Sequence, residues 1–472
     1  MIFLEKTKIF RDVIHGSIEV SRVANSIIDN RIFQRLRNLH QLGATYLVFS
    51  NANNTRFEHS IGTYYVAEKL LHHIVNNSAS TEINNSILEI DFIKNHSLTN
   101  FGLTDTEDNV NFLRKIDTIL LDDYIIELIK IAGLTHDLGH GPFSHLFDEW
   151  LHNSENIDKS NELLEHENRS IILLNKIIQD SVLEYNGEIY RLEEFIDEDA
   201  YNFISELINP KETTPNNFIF QIISNSLNGL DVDKLDYLCR DSFYLGSGIP
   251  FDLDGILKHA KVIDGNISFP TKISYDIYKV FRTRYDLHKQ FYNHKTIVCI
   301  EYMIRNIMNR LEPILQIVNI INSRDLDKFI DLTDSVIFDT TKIIKNFPQL
   351  YSLYKSDIDY IEEQIEKINK RQIYKCLYAS SFMVSEDNID KKIEEIVSKP
   401  EDFLEHIDNF SRDNIKPIKI LIGLLSGNKS HPFDNLYFFD HTGKSSILSK
   451  EKISHLLSPL FQEVILYVLY MD

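Results

Sequence analysis

The stretch IAGLTHDLGHGPFSHLFDEW, residues 131–150, sets His136 and Asp137 side by side at the end of an apolar run and adds His140, His145 and Asp148 soon after. Imidazole nitrogens and carboxylate oxygens are borderline-to-hard donors that suit iron, manganese, zinc or magnesium. A His-Asp doublet supplies only half a coordination shell, so the other ligands must come from elsewhere in the chain. The best sources are His59, in NNTRFEHSIGTYY, and Asp233, in NGLDVDKLDYLCRD, both in polar interruptions flanked by apolar helical sequence. Any one of these residues alone is more often a solvated or satisfied core group. Taken together, they point to a metal centre with a proton donor beside it.

The elements that must position these groups follow from spacing. The run Ile125 to Leu134 has helical periodicity, and residues three or four apart share a helix face, so Asp137 and His140 are expected to enter one cleft from one helix. Gly141-Pro142 is expected to break that helix, with Pro142 near the first turn of a second helix that carries His145 and Asp148 three apart. Glu165-His166-Glu167 offers a further histidine for the cleft. In KLDYLCRD, Lys234, Tyr237 and Asp241 recur about one turn apart. Lys234 and Arg240 are candidates to answer phosphate charge, the arginine in bidentate fashion; a salt-bridged helix face is the competing reading.

Upstream, KIFRDVIHGSIEVS alternates around His15-Gly16 and predicts a short hairpin. Residues 23–42 predict a helix with Ile27, Ile28, Phe33, Leu36 and Leu39 on its apolar side, and with Asp29, Gln34, Arg37 and Gln41 as polar candidates for ligand contact. Residues 76–118, rich in Asn, Ser and Asp, read as an inserted surface segment. Residues 152–228 look largely helical and acidic. A second hairpin is expected over 262–275 around Asp264-Gly265, followed by a long helix from about Tyr275 to Gln316. The segment FRTRYDLHKQFYNHK within it concentrates Arg282, Arg284, His288, Lys289, His294 and Lys295. The fold class expected is mainly α: a helical core over 1–320 with short β-hairpins, and a smaller C-terminal α+β appendage over 321–472 serving assembly or regulation.

Composition narrows the function classes. The chain has 472 residues, 43% hydrophobic, enough for a substantial core. No apolar run approaches the ~20 residues that span a bilayer, and no secretory signal is read at the N-terminus, so no membrane partner is expected. The expectation is an intracellular protein of the cytoplasm, with a nuclear location left open. Cys239, Cys299 and Cys376 lie far apart without metal-site spacing and are expected to be reduced core residues. Acidic residues outnumber basic ones 70 to 49, for a formal charge of −21, which disfavours nucleic acid as a partner. The absence of GxxxxGK[ST] removes the commonest phosphate loop.

With these residues in view, the chain resembles the HD-domain metal-dependent phosphohydrolases, and within them the deoxynucleoside triphosphate triphosphohydrolases of the SAM-and-HD-domain type. The matching segments are FRDVIHGSIEV, IFQRLRNLHQLG, TRFEHSIG, IAGLTHDLGHGPFSH, NGLDVDKLDYLCRD and RTRYDLHKQFYNHK, spanning residues 8–300 almost continuously. A weaker match reaches RQIYKC, and since the match starts by residue 8 no SAM domain is expected before the hairpin. The resemblance implies His59, His136, Asp137 and Asp233 as metal ligands. It implies His140 and His166 as α-phosphate holders, and His145, oriented by Asp148, as proton donor. Arg56, Lys234, Tyr237, Asp241, Arg284 and Tyr292 would line the substrate pocket, with Gln41 and Leu42 near the sugar.

The activity implied is hydrolysis of dNTPs to deoxynucleoside and inorganic triphosphate. Lys8, Asp29, Gln34, Arg37 and Arg371 match the family's guanine-reading residues, which implies GTP activation and a homo-oligomer, dimer or tetramer. Val48, Lys272, His294 and Lys295 match the adjoining deoxynucleotide activator site. Arg11, Gly255, His259 and Pro270 depart from it, standing where the family has an asparagine, an arginine, a phenylalanine and an arginine. Two other readings compete: an HD phosphohydrolase acting on nucleoside monophosphates, cyclic nucleotides or nucleic-acid ends, and a nucleotide-sensing or nucleic-acid-binding module.

Overall fold

The computed structural model describes residues 2–383, 389–398, 414–424, 431–455, 457 and 462–471. Helix dominates these residues, and the strands form small sheets of two to four members, as a mainly α chain requires. No helix among them is long and apolar enough to cross a membrane. Cys239 and Cys299 are buried, Cys376 is partly buried, and all three are free thiols.

The helix Arg56–Asn77 is the central strut. Thr55 starts it, with its backbone N–H donating to Glu58 Oε1 at 3.0 Å. Its buried face, from Phe57 through Ile61, Val66 and Leu70 to Ile74, packs between the helices Asp123–Thr135 and Val232–Tyr244. Each neighbour is capped by an aspartate: Asp122 accepts from Ile125 N at 3.0 Å, and Asp231 from Lys234 N at 2.9 Å. Gly62 sits where the strut meets the third helix. A Cβ there would collide with the Asp236 carboxylate and the Arg240 guanidinium, so glycine sets the approach of the two backbones.

Both predicted hairpins are present. Strand Lys6–Asp12 pairs antiparallel with Gly16–Ser21, and Lys261–Ile263 pairs with Asn266–Pro270 across Asp264-Gly265, whose positive φ angles of 50° and 73° form the tight turn. An unforeseen third hairpin, Val182–Tyr185 with Glu188–Arg191, interrupts the acidic helical stretch. Residues 76–118 contain three helices, Ser80–Ile87, Asp91–Asn100 and Glu107–Lys115, which bury Ile83, Ile87, Ile93, Leu98 and Leu113.

Three expected helices are shorter than their hydrophobic patterns. The helix over 23–42 is instead Arg22–Ile28, a turn Arg31–Gln34 and a 3-10 segment Arg35–Asn38, because Asn30 leaves the helix and its side chain accepts from Ile32 N at 2.9 Å. The doublet helix ends at Thr135, before the His-Asp pair instead of at Gly141-Pro142. The long helix over 275–316 is two, Ser274–Leu287 and Lys295–Leu315. Between them lie a π-helical turn, His288–Tyr292, and the cap residue His294, whose Nδ1 accepts from Thr296 N at 3.3 Å.

The C-terminal strands Lys375–Met383 and Ile415–Gly423 flank Gln462–Tyr470 in an antiparallel sheet. Strand Tyr437–Phe439 instead runs parallel to Ser268–Pro270, in one sheet with the second predicted hairpin.

Candidate active site and metal centre

His59 leaves the first turn of the central strut, His136 and Asp137 stand at the end of Asp123–Thr135, and Asp233 lies in the first turn of Val232–Tyr244. The three helices gather donor atoms of His59, His136 and Asp137 within 4.8 Å of one another, and Asp233 pairs with both histidines. His59 Nε2 is 3.0 Å from Asp233 Oδ1 and 3.6 Å from Asp137 Oδ2; His136 Nε2 is 3.3 Å from Asp137 Oδ1 and 3.4 Å from Asp233 Oδ1. His136 Nδ1 lies 2.8 Å from Gly133 O, which directs Nε2 into the cluster, where it is buried with no hydrogen-bond partner.

This donor set fits a divalent cation. Burial alone would discourage charge on His59, yet hydrogen bonds to Asp233 and Asp236 and the Asp137 charge outweigh it and raise its pKa to about 10. Burial likewise works against ionisation of Asp137 and Asp233, but Arg56 beside the first and the two histidines beside the second hold both carboxyls well below their usual range. Such a pocket favours a positive ion at its centre, and two imidazoles with two carboxylates are the donors a borderline dication takes.

Behind these four residues stands a group the sequence reading did not pick out. Asp236 Oδ2 is 2.8 Å from His59 Nδ1, and Asp236 Oδ1 is 2.6 Å from His15 Nε2. Arg240 donates to the same carboxylate through Nε at 2.9 Å and Nη2 at 3.0 Å, and to Asp12 Oδ2 at 2.8 Å. Arg240 is therefore a structural clamp, fully buried and committed to two carboxylates, and not the phosphate ligand its sequence position suggested. The signal for Asp236 was its place three residues after Asp233 on one helix.

A second cluster adjoins the first. Its members come from the turn after Thr135, from the helix His145–His152 and from the first residue of the helix His166–Asp180. His140 Nε2 lies 3.3 Å from Asp137 Oδ1, so His140 touches the metal-ligand group on one side. Its ring stacks on His166, with centroids 3.8 Å apart, and His145 stands 5.1 Å away edge-on. Asp148 faces all three, its Oδ2 being 3.1 Å from His166 Nδ1 and 4.0 Å from His145 Nδ1. Buried Arg169 pairs with Asp148 and donates to Gly139 O at 2.7 Å, tying the turn to the helix that carries His166. A Cβ on Gly139 would strike His166 O, so this contact also needs glycine.

Burial opposes a charge on Asp148, but Arg169 and His166 keep it ionised far below the usual carboxylate range. Burial, then Arg56 and His166, depress the His140 pKa well below that of a free imidazole. Desolvation in the cleft, with the charges of His166 and Arg56, also lowers that of His145; 73% of this side chain is solvent-exposed, so water screens the shift.

Of the expected pocket residues, Gln41, Asp241 and Tyr292 join into one wall through Asn54, while Arg56, Lys234, Tyr237 and Arg284 pair with other groups. Arg56 donates to Asp137 Oδ2 at 2.5 Å and to Ser144 Oγ at 2.9 Å. Gln41 N donates to Asn54 O at 2.9 Å, Asn54 Nδ2 to Asp241 Oδ1 at 2.8 Å, and Tyr292 Oη to Asp241 Oδ2 at 2.6 Å. Asn54, in the polar loop SNANNTRFEHS, is thus the unforeseen joint of the wall. Leu42 follows Gln41, and the Gln41 Oε1 is buried without a partner. Burial pushes the Asp241 carboxyl up to about 6, with Tyr292 and Asn54 opposing. Tyr237 lies 6.5 Å from the His59 ring, and Lys234 Nζ is 3.4 Å from Asp231. Arg284 Nη1 donates to Gly423 O at 2.7 Å. Its charge, with those of His145 and Lys234, reaches His288 on the π-helical turn and, after burial, lowers the His288 pKa.

The expected activator residues divide. Lys8 Nζ donates to Asp29 Oδ1 at 2.8 Å, Gln34 Nε2 to Ile28 O at 2.7 Å, and Arg37 Nε to Gln34 Oε1 at 2.8 Å, all on the first hairpin and the helices after it. Lys8 and Asp29 border a cavity of about 500 Å³ that also touches Arg22, Asn25 and Glu184. Val48, Lys272, His294, Lys295 and Arg371 stand on other elements, Arg371 with a φ of 60° just past the helix Lys355–Asn369. Of the departures, Arg11 donates to Ser17 at 3.0 Å, His259 Nδ1 lies 2.7 Å from Gly255 O, and Pro270 ends a strand.

No protein-family model matches the chain. Among curated proteins it is 35% identical over 443 residues to a putative HD domain-containing protein of Acanthamoeba polyphaga mimivirus, covering 92% of this chain and 86% of the relative. It is 33% identical over 471 residues to the deoxynucleoside triphosphate triphosphohydrolase SAMHD1 homolog of Dictyostelium discoideum, covering 97% of this chain and 76% of that protein. Human SAMHD1 is 26% identical over 502 residues, covering 99% and 71%. The chain belongs to the HD-domain family of deoxynucleoside triphosphate triphosphohydrolases.

Proposed function

We propose that this chain hydrolyses dNTPs at the α-phosphorus, releasing deoxynucleoside and inorganic triphosphate, with a divalent metal held by His59, His136, Asp137 and Asp233. The observation that carries this reading is the contact between the two clusters: His140 joins a ligand set suited to a dication to a group of imidazoles suited to a phosphoryl centre and its leaving oxygen. When bound, the metal supplies Lewis-acid polarisation of a phosphoryl oxygen and activation of water.

The remaining work falls to the chain. His140 and His166 hold the α-phosphate, and His145, oriented by Asp148, gives its proton to the departing 5′-oxygen, a contribution of the general-acid type worth ~10²–10⁴-fold. Arg56, Lys234 and Arg284 offset triphosphate charge. The wall of Gln41, Asp241 and Tyr292, with Leu42 and Tyr237, receives the deoxynucleoside. GTP at Lys8, Asp29, Gln34, Arg37 and Arg371 raises activity by favouring an oligomer, dimer or tetramer. Val48, Lys272, His294 and Lys295 take a second, deoxynucleotide activator.

The test is ion-exchange analysis of products from dGTP and dATP with Mg²⁺ or Mn²⁺, each with and without GTP. Deoxynucleoside plus intact triphosphate is expected, with dATP turnover dependent on GTP. Monophosphate products, or none from any dNTP with metal and GTP present, overturn the reading.

A further inference from the structure

The second cluster has the features of a metal site in its own right. Asp148 is held at one carboxylate oxygen by Arg169, while its buried Oδ2 faces His166 Nδ1 at 3.1 Å. His140 Nδ1 is buried and unpartnered, 3.9 Å from that oxygen. His140 Nε2 faces Asp137 Oδ1 at 3.3 Å, so a proton on Nε2 is held by a carboxylate and Nδ1 carries the free lone pair. His166 Nδ1 and His145 Nδ1 lie 3.1 and 4.0 Å from the same Asp148 oxygen. One donor atom from each of the four residues falls within 4.8 Å of all the others. A tetrahedral ion with bonds of ~2.0–2.1 Å needs donors ~3.3 Å apart, so small side-chain movements close the shell. The exposed His145 gives the entry path.

We propose that His140, His145, His166 and Asp148 form a second metal site, selective for Zn²⁺, and that filling it inhibits the enzyme. Three imidazoles and one carboxylate are a donor set that zinc takes readily, whereas Mg²⁺ prefers oxygen ligands and keeps its waters. Filling the site takes one ring nitrogen from each of His140, His145 and His166. The proton donor is then bound to metal, and the two phosphate-holding rings turn from the substrate. The inhibition rests on the roles proposed above for these residues; the site itself rests on geometry alone.

The experiment counts metals, so it does not depend on turnover. Chain loaded with Mn²⁺ is equilibrated with zinc sulfate, dialysed and assayed for both metals. Because zinc can replace manganese at the first site, total metal is counted: the expected result is one more metal ion per chain than before zinc was added, and no such rise in the His145→Gln, His166→Gln double variant, whose fold is checked by circular dichroism and thermal melting. No rise in total metal in the parent chain, or an equal rise in the folded variant, overturns the site. In the same parent samples zinc should cut dNTP turnover at least ~100-fold, the scale of a lost general acid, and chelation should restore it. Inhibition that appears only as manganese is displaced overturns the regulatory part. A chain without turnover before zinc is added defeats the proposed function, while the metal count still decides the site.

Discussion

Asp236 touches none of the expected metal donors' inward atoms, yet it fixes which nitrogen of His59 faces Asp137 and Asp233. Its two oxygens are shared among His59, His15 and Arg240, and the Arg240 charge, with these hydrogen bonds, outweighs burial to hold its carboxyl far below the usual range. A ligand histidine steadied in this way commonly loses ~10–100-fold in metal affinity when the outer partner is removed. Asp236→Asn is therefore expected to lose metal on dialysis that the parent chain retains, and to recover turnover when Mn²⁺ is supplied in excess. Arg240 keeps Asp12 as a partner, so the variant should fold, which thermal melting checks. Metal retention equal to the parent would show that Asp236 does not orient His59. His59, His136, Asp137 and Asp233 were legible as candidates because each residue type and its local motif announce the chemistry, and the fold brings them together. Asp236 was not, since its partner His15 is 221 positions away and neither residue has a pattern that joins them.

At the scale of elements, turns and caps were legible where one residue dictates the backbone, as at Asp264-Gly265. Helix lengths were misjudged where a polar side chain competes with the helix: Asn30 and His294 each cap a new segment inside an apolar pattern that continues unbroken. The packing of one element on another is a further property that periodicity does not carry, and Glu301 illustrates it. It lies partly buried on the helix Lys295–Leu315, near Glu149 of the helix His145–His152, while Arg305 pairs with Glu149. Burial and then the Glu149 charge push the Glu301 carboxyl up from 4.5 to about 8, against the pull of Arg305. Between those two values the folded chain keeps a proton that the unfolded chain releases, so stability is lost as pH rises through the window. Glu301→Gln removes that titration. It should melt higher than the parent at pH 8 and above, with the advantage fading to nothing by pH 4.5. Solvent access reduces the full linkage value, leaving a gain on the order of 1–3 kcal/mol at the alkaline end. A pH-independent difference between the two melting curves would refute the assignment.

Across the whole molecule, the last third of the chain is tied to the turn between His140 and His145 by buried polar contacts that sequence reading had no means to foresee. Phe143 and Ser144 both adopt φ of 59°, an unfavourable conformation for side-chain-bearing residues, in the turn between His140 and His145. Asp334, 191 positions later, holds this turn in place: its Oδ1 accepts from Phe143 N at 2.7 Å, and its Oδ2 accepts from His40 N at 2.8 Å and lies 2.7 Å from the His40 ring. Arg35 adds a second tie, donating to His140 O at 2.7 Å and to Leu332 O at 2.9 Å. These contacts suggest that residues beyond 320 support the geometry of the site as well as any assembly role. Asp334→Ala leaves two backbone donors unpaired, the Phe143 N–H among them buried, and each loss of this kind costs ~1–3 kcal/mol. The expected result is a lower melting temperature together with a fall in turnover larger than the unfolded fraction explains, because the turn that aims His140 and His145 relaxes. The metal content should stay near that of the parent, since the hydrogen bonds of Asp334 go to Phe143 and His40 and not to His59, His136, Asp137 or Asp233. Unchanged turnover per folded chain would mean that the strained turn holds without Asp334, and that the C-terminal third stabilises the molecule without shaping its site.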